Sequence, residues 1–248
     1  MIEGEETTQD MTLFGGSSLA FKIALGAIFS GIYGVFLLLP MSTFIGAGSI
    51  ISFAICIAPL FGILFDFRWG FMFGLLAGVI GLIVSSIIGG LFLALPNLVF
   101  GPALAGLFVG LSKRSTHKIR ELQIPGPLIA AIYLFVVIAV FLVMRPDAWW
   151  FMVGYFVAAL CALTLQIYHS NNIITDDLTS KANIIPLVAI GTFSDFSMMT
   201  LGSIFILDLP GSVFGLVIFP FMLIERTIAI IISTLLAIIA IKVLKDYL

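Results

Sequence analysis

The side chains of this sequence that could take part in chemistry are few, and the most informative ones lie inside strongly apolar segments. Asp195 is surrounded by hydroxyl-bearing residues, and Glu225 is followed directly by Arg226. Ionisable groups inside an apolar span are costly to bury and tend to mark a site. Asp195, Glu225 and Arg226 therefore form either a buried structural ion pair or the polar floor of a binding site for a small solute.

The spacing predicts that these groups meet. Asp195 lies about eleven residues, or roughly 16 Å, into its predicted helix, and Arg226 lies at a similar depth in the next one. Because consecutive spanning helices run antiparallel, Asp195 can reach Arg226 near the midplane. The predicted substrate-binding residues are Asn97, Thr192, Asp195, Ser203 and Arg226. Asn97 has an alternative role as a helix cap that needs no ligand.

An intramembrane enzyme would use Asp195 and Glu225 as two carboxylates that share a proton. Arg226 beside Glu225 would hold both carboxylates ionised, which disfavours that state. The sequence contains no His-Glu-x-x-His, Gly-x-Ser-x-Gly or P-loop motif. Cys56 and Cys161 both lie in apolar runs, as small buried hydrophobic residues do. We therefore expect no enzyme activity, no cofactor and no metal site.

The composition requires a membrane environment. Of the 248 residues, 61% are hydrophobic and 10% are charged, and the mean hydropathy is +1.26. Soluble domains average about 45–50% apolar and about 25% charged residues. The fold class predicted is an all-α, polytopic transmembrane helix bundle with lipid as its surroundings. The formal net charge of -2 gives no support for binding to nucleic acid.

Breaks at proline, glycine and charged residues divide the chain into apolar segments that can be compared with the roughly 20 residues of a span. The predicted helices cover residues 18–40, 45–65, 69–90, 97–112, 126–145, 149–169, 184–204 and 213–244. The second and third could instead form one broken hairpin, which leaves six to eight spans. Residues 1–17 are expected to form an acidic, disordered cytoplasmic tail before the bundle of residues 18–248.

The orientation follows from lysine and arginine in the short loops. With the N-terminus inside, the loops predicted to be cytoplasmic hold Arg68, Lys113, Arg114, Lys118, Arg120 and Lys181. The loops predicted to be outside hold only Arg145. This asymmetry predicts a multi-pass protein of the cell (plasma) membrane with both termini in the cytoplasm.

Small residues at helical spacing allow close helix contacts in lipid. The first helix has three such stripes, formed by Ala20 and Ala24, by Ala27 and Gly31, and by Gly26, Ser30 and Gly34. They either pack inside the bundle or dock onto another subunit. The third and fourth helices carry small residues that we assign to internal packing, namely Gly74, Gly78, Gly81, Ala103, Gly106 and Gly110.

About half of the chain resembles the substrate-binding S components of energy-coupling factor (ECF) vitamin transporters. The first part of the resemblance runs from Ala58-Pro59 through Asp66-Phe67-Arg68-Trp69-Gly70 to the segment Leu95–Leu111. The more specific part is C-terminal, where Asp195 is followed by Leu209-Pro210, Phe214, Pro220, Glu225-Arg226-Thr227-Ile228-Ala229 and Lys242-Val243-Leu244-Lys245.

The resemblance implies a subunit that binds a vitamin or related micronutrient from outside. A transmembrane coupling protein with two ATPases would then drive release of the solute. In that family an Ala-x-x-x-Ala stripe docks the S component, which here matches Ala20 and Ala24, with Ala27 and Gly31 beside them. The family usually has six spans, so the eight predicted helices are a departure, with an extra hairpin near residues 126–169.

The function expected is therefore a membrane-embedded substrate-binding subunit for uptake of a vitamin-like micronutrient. Two alternatives remain at this point. An intramembrane enzyme would require both Asp195 and Glu225 for turnover. A membrane scaffold or accessory subunit without ligand would use the first-helix stripe only for assembly.

Overall fold

The predicted bundle is confirmed as an all-α, membrane-like fold. The computed structural model describes residues 19–39, 52–88, 95–119, 122–170 and 181–245, so the predicted tail of residues 1–17 lies outside the described part. The α-helices are α1 (Leu19–Phe36), α2 (Ala58–Leu64), α3 (Phe67–Ile88), α4 (Leu95–Ser112), α5 (Gly126–Met144), α6 (Val153–Ser170), α7 (Lys181–Phe205) and α8 (Phe219–Lys245). A 3-10 helix (Pro146–Met152) precedes α6, and a π-helix (Val213–Ile218) precedes α8.

Six helical segments of the described residues are long and apolar enough to cross a membrane. They are Leu19–Phe36, Phe67–Ile87, Gly126–Met144, Pro146–Tyr168, Asn183–Phe205 and Val213–Leu244. The shortest has 18 residues, and at 1.5 Å per residue it is about 27 Å long, close to the hydrocarbon thickness of a bilayer. These segments match six of the eight predicted helices within a few residues at most ends.

The prediction of one continuous span over residues 45–65 is wrong. The described part of this segment is a 3-10 helix (Phe53–Cys56) followed by the seven-residue α2. Pro59 lies in the first turn of α2, where its missing N–H interrupts no hydrogen bond. The two pieces together span Phe53–Leu64, about 18 Å. All seven residues of α2 are buried, so this helix fills the bundle and is not one of the six spans.

Glycines bring α3 and α4 into backbone contact. A Cβ atom on Gly74 would collide with the carbonyl of Pro102, and one on Gly106 would collide with the carbonyl of Gly70. A Cβ on Gly110 would lie 2.5 Å from the Cα of Phe67. The predicted internal packing role is therefore confirmed for Gly74, Gly106 and Gly110, and it explains why only glycine fits there.

Helix α7 lies at the centre of the bundle, in contact with α4, α6 and α8. Every residue from Leu187 to Ser197 is buried. A helix that is buried on all sides does not face lipid, so its side chains contact other helices. The hydroxyl groups in this part of α7 therefore face other helices.

A β-hairpin that the sequence analysis did not predict joins α4 to α5. Its strands are β1 (Thr116–Ile119) and β2 (Leu122–Pro125), and His117 pairs with Ile124 in the antiparallel register. Neighbouring side chains of a strand point to opposite faces. Accordingly His117 is buried and Lys118 is exposed.

Lys113 and His117, which we call the cap cluster, close the ends of two helices beside this hairpin. Lys113 Nζ donates hydrogen bonds to the carbonyls of Ile63 (3.1 Å) and Phe65 (2.7 Å), at the C-terminal end of α2. His117 Nε2 lies 2.8 Å from the carbonyl of Leu111 in the last turn of α4. The carbonyls at a helix end have no partner within the helix. The cap cluster supplies those partners.

Burial changes the protonation of both groups in the cap cluster. Desolvation lowers the pKa of Lys113 to about 8, against the opposing attraction of Asp66. Desolvation also lowers the pKa of His117, and its hydrogen bond to Leu111 works in the opposite direction. The low-dielectric surroundings disfavour the charged form in each case.

Candidate functional site

Asp195 on α7 and the pair Glu225 and Arg226 on α8 come together in the interior, and we call them the charge cluster. Arg226 Nη1 lies 3.7 Å from Asp195 Oδ2, and Arg226 Nη2 lies 3.5 Å from Glu225 Oε1. The three side chains are 1–2% exposed. The predicted contact between Asp195 and Arg226 is therefore confirmed. No other Asp, Glu, Lys or Arg side chain in the described part of the chain is as deeply buried, and Lys113 is only part-buried.

One turn of α7 holds the guanidinium in place. Arg226 Nη1 donates a hydrogen bond to the Thr192 carbonyl at 3.3 Å. The guanidinium carbon lies 4.1 Å from the ring centroid of Phe196, which is a cation–π distance. Thr192, Asp195 and Phe196 follow the i, i+3, i+4 spacing that places three side chains on one helix face. The ring of Tyr155 stacks against that of Phe196, with centroids 6.2 Å apart.

The charge cluster contains more polar atoms than its protein contacts satisfy. Within the charge cluster, the buried atoms without a hydrogen-bond partner in the described residues are both Asp195 carboxylate oxygens, Glu225 Oε1, Arg226 Nε and Arg226 Nη2. Thr192 Oγ1 and Ser194 Oγ, on the same helix as Asp195, also lack one. The two ion-pair separations exceed normal hydrogen-bond lengths of 2.7–3.2 Å. Leaving a buried polar group unpaired costs about 1–3 kcal/mol, and more if the group is charged. Both donors and acceptors are thus unused in a buried site.

Two tyrosines from α5 and α6 make hydrogen bonds with the hydroxyl groups of α7. Tyr155 Oη lies 2.6 Å from Thr200 Oγ1, and Tyr133 Oη contacts Ser197 Oγ. Ser197 Oγ in turn donates to the Ser194 carbonyl at 2.6 Å. Sequence reasoning missed both tyrosines, because nothing in the linear pattern shows which face of α5 or α6 meets α7.

The predicted extra hairpin of residues 126–169 is consequently an integral part of the bundle. Helices α5 and α6 pack against α7. Phe141 of α5, Phe151 of the 3-10 helix and Tyr155 of α6 join the aromatic cluster around Phe196 and Phe214. The rings of Phe141 and Phe151 stack with centroids 5.2 Å apart. This cluster packs beside the charge cluster through Phe196 and Tyr155.

The predicted binding residues differ in how close they lie to the charge cluster. Thr192 contacts Arg226 through its backbone carbonyl. Ser203 is buried, but it lies eight residues beyond Asp195, about 12 Å along α7. Asn97 is the third residue of α4, so it does not occupy the N-cap position that the alternative role requires. The side chain of Asn97 lies outside the described part.

The three stripes of the first helix separate into a buried one and exposed ones. Gly26, Ser30 and Gly34 are buried, and Ser30 Oγ contacts the Phe73 carbonyl at 3.0 Å. The remaining stripe residues, Ala20, Ala24, Ala27 and Gly31, are exposed. A Cβ atom on Gly31 would have no neighbour within 4 Å. Internal packing therefore uses one stripe and leaves the predicted docking residues facing outward.

Interactions at the end of α7 connect the loop before α8 to the loop between α5 and α6. Arg145 forms an ion pair with Asp208, and its Nε donates to the Leu209 carbonyl at 2.7 Å. Trp150 Nε1 donates to the Gly215 carbonyl at 3.3 Å. Sequence analysis placed these loops on the outer side of the membrane.

The charge cluster and its surroundings contain no recognisable metal centre among the described residues. No group of three or more His, Cys, Asp or Glu residues in the described ranges could hold a metal ion. Arg226 contacts both carboxylates of the charge cluster, so neither is free to share a proton with the other alone.

No family model matches the chain, and neither a curated protein nor a solved structure was found to match it.

Proposed function

We propose that this protein is a membrane-embedded substrate-binding subunit that takes up a vitamin-like micronutrient together with a separate energy-coupling module. The observation that carries the proposal is the set of buried, unpartnered polar atoms at Thr192, Asp195, Glu225 and Arg226. Buried polar groups in proteins are nearly always hydrogen-bonded. A site that keeps several of them unpaired is suited to a polar solute that supplies the missing partners.

The geometry favours recognition of a solute with mixed polarity. Arg226 Nε and Nη2 can donate to a carbonyl or carboxylate oxygen of the solute, and Asp195 and Glu225 can accept from N–H or O–H groups. The aromatic rings of Tyr155 and Phe196 provide an apolar wall. Because the charged side chains are 1–2% exposed, the solute must enter through a movement of the helices or of the loop between α7 and α8.

The exposed stripe of α1 is the surface we assign to the coupling protein. Ala20, Ala24, Ala27 and Gly31 are exposed, while the stripe of Gly26, Ser30 and Gly34 packs against α3. Small residues at this spacing allow another helix to approach closely. The resemblance to S components of ECF transporters supports the same assignment and adds two ATPases to the expected complex.

The intramembrane-enzyme alternative receives less support. Its carboxylates, Asp195 and Glu225, both contact the Arg226 guanidinium. An aspartyl dyad needs two carboxylates that share one proton with each other, whereas here a guanidinium contacts both.

The test is native mass spectrometry of protein purified in mild detergent, followed by denaturation and identification of the released small molecules. We expect a stoichiometric polar solute in the wild type and a loss of about tenfold or more in Thr192→Val. The valine is close in shape to threonine and removes a hydroxyl that has no protein partner, so stability should change little.

Thr164→Val is the matched control, because Thr164 is exposed and bonds only within α6. It should retain the solute at the wild-type level. A wild-type protein that releases only lipid, or equal solute occupancy in Thr192→Val and the wild type, would contradict the proposed site.

A further inference from the structure

The charge cluster has an excess of one negative charge. It contains two carboxylates, Asp195 and Glu225, and one guanidinium, Arg226. Among the residues that the structure describes, the other ionisable groups within electrostatic range are the Cys56 thiol and the Tyr33 and Tyr155 hydroxyls. Thiol and phenol groups are uncharged near neutral pH. The formal charge of this buried region is therefore -1 when both carboxylates are ionised.

An unbalanced charge is hard to maintain at this depth. The three charged side chains are 1–2% exposed, so water does not screen them. A buried charge in a protein is normally paired or coordinated. Arg226 balances one carboxylate only, although it lies within 4 Å of both.

Most of the atoms without a hydrogen-bond partner in the charge cluster and the adjoining Thr192 are oxygens, and oxygens bind cations or hydrogen-bond donors. Four oxygens without a hydrogen-bond partner belong to three residues held around the same guanidinium, namely two from Asp195, one from Glu225 and one from Thr192. Carboxylate and hydroxyl oxygens are ligands of hard cations and acceptors for ammonium groups. A single proton would reside on one of these oxygens, whereas a larger cation can contact several at once.

We infer that the charge cluster binds a species carrying one positive charge, through the oxygens of Asp195, Glu225 and Thr192. This species is either the ammonium group of the solute or a free alkali metal ion, since both present the same chemistry to these oxygens. The inference rests on the proposed function for the location of the ligand and adds the charge of that ligand. It also modifies the expectation that no metal ion binds.

The test measures the thermal unfolding of the purified protein in detergent at constant ionic strength, after extensive washing has removed any bound solute. The buffer cation is sodium, methylammonium or the much larger N-methylglucamine. We expect Tm to be higher by about 5 °C in sodium or methylammonium when either is well above its Kd. A rise with sodium alone identifies a free ion, and a rise with methylammonium alone identifies an amine-bearing solute.

Glu225→Gln removes the excess charge and should abolish the cation-dependent rise. Its Tm in N-methylglucamine should equal or exceed that of the wild type, because the cluster becomes neutral. Asp195→Asn gives a second, independent neutral cluster in case Glu225→Gln does not fold. Asp147→Asn, which removes an exposed carboxylate, is the matched control and should respond to the cations as the wild type does.

Three results would overturn the inference: equal Tm in all three cations, an undiminished rise in both neutral variants, or stabilisation of the wild type by acid alone. The last result would assign the balancing charge to a proton. A neutral or anionic solute identified by mass spectrometry, without a cation effect, would refute this inference and leave the proposed receptor function standing. A cation effect without any bound solute would support this inference and refute the proposed receptor function.

Discussion

The cap cluster and the charge cluster both contain charged or titratable side chains that are at least partly buried, but their polar atoms differ in how well they are hydrogen-bonded. Lys113 donates two hydrogen bonds of 2.7 and 3.1 Å to helix-end carbonyls. His117 contacts a further carbonyl at 2.8 Å. In the charge cluster the two ion pairs are 3.5 and 3.7 Å long, and Arg226 donates a hydrogen bond of 3.3 Å to a carbonyl.

This difference separates groups that hold the fold together from groups that are available to a ligand. Satisfied buried polar groups stabilise and orient the elements they join. Unsatisfied ones are a cost that the remaining fold must offset, and such costs concentrate at functional sites. We therefore expect substitutions in the cap cluster to affect stability and substitutions in the charge cluster to affect binding.

The largest effect on this comparison should come from Lys113→Met. The change leaves the Ile63 and Phe65 carbonyls without their donor in a part-buried site. We expect a loss of about 2–4 kcal/mol in the free energy of unfolding. Denaturant titration in detergent measures it, and Lys118→Met is the control because Lys118 is exposed. Equal stability of the two variants would show that the capping bonds contribute nothing.

A smaller effect is expected from His117 and depends on pH. Burial lowers the pKa of His117 below its ordinary value of 6.5. Below pH 6.5 the unfolded chain therefore binds a proton that the folded chain resists, so stability is lost as the pH falls. His117→Gln should cost about 1 kcal/mol near pH 8 and reduce the acid sensitivity of Tm.

The groups that face His117 are Asp66, Lys113 and Arg114, and the ring of Phe67 packs on its edge. The comparison must be between the wild type and His117→Gln over the same pH range, so that contributions common to both proteins cancel. Parallel Tm curves for the two proteins would assign the acid sensitivity to another group.

The smallest expected effect on stability comes from two serines in the membrane-spanning helices, one hydrogen-bonded and one without a partner. Ser233 Oγ on α8 donates to the Cys56 carbonyl at 2.9 Å, whereas Ser194 Oγ on α7 has no hydrogen-bond partner in the described residues. Ser233→Ala should lower stability by about 1 kcal/mol, and Ser194→Ala should change it by less than about 0.5 kcal/mol. Thermal unfolding of the pair measures both. A larger loss in Ser194→Ala would place that hydroxyl with the structural groups.

Hydropathy and breaker residues predicted most of the helices, because lipid requires long apolar segments whose backbone bonds are internal. The same criterion failed at residues 45–65. That segment is apolar enough for a span, but its described part breaks at Ile57 and packs inside the protein. Composition cannot distinguish a helix that faces lipid from one that is buried among other helices.

Part of the candidate site was also predictable. Asp195 and Arg226 were expected to meet because each lies near the middle of consecutive helices, and they do. Tyr133 and Tyr155 were missed, since their contacts with Ser197 and Thr200 depend on how α5 and α6 are rotated against α7. Helix rotation is set by packing between side chains far apart in the sequence.

The sequence by itself determined that this is a helical membrane protein with rare charges at the depth of its core, because burying backbone and charge in lipid leaves few alternatives. Only the tertiary structure decided which polar groups are satisfied. Lys113 and Arg226 are both long cations beside carboxyl or carbonyl oxygens. The difference between them is that helix packing brings two carbonyls to 2.7 and 3.1 Å from Lys113 but leaves the carboxylates 3.5 and 3.7 Å from Arg226. That separation of a few tenths of an ångström is encoded by no linear pattern.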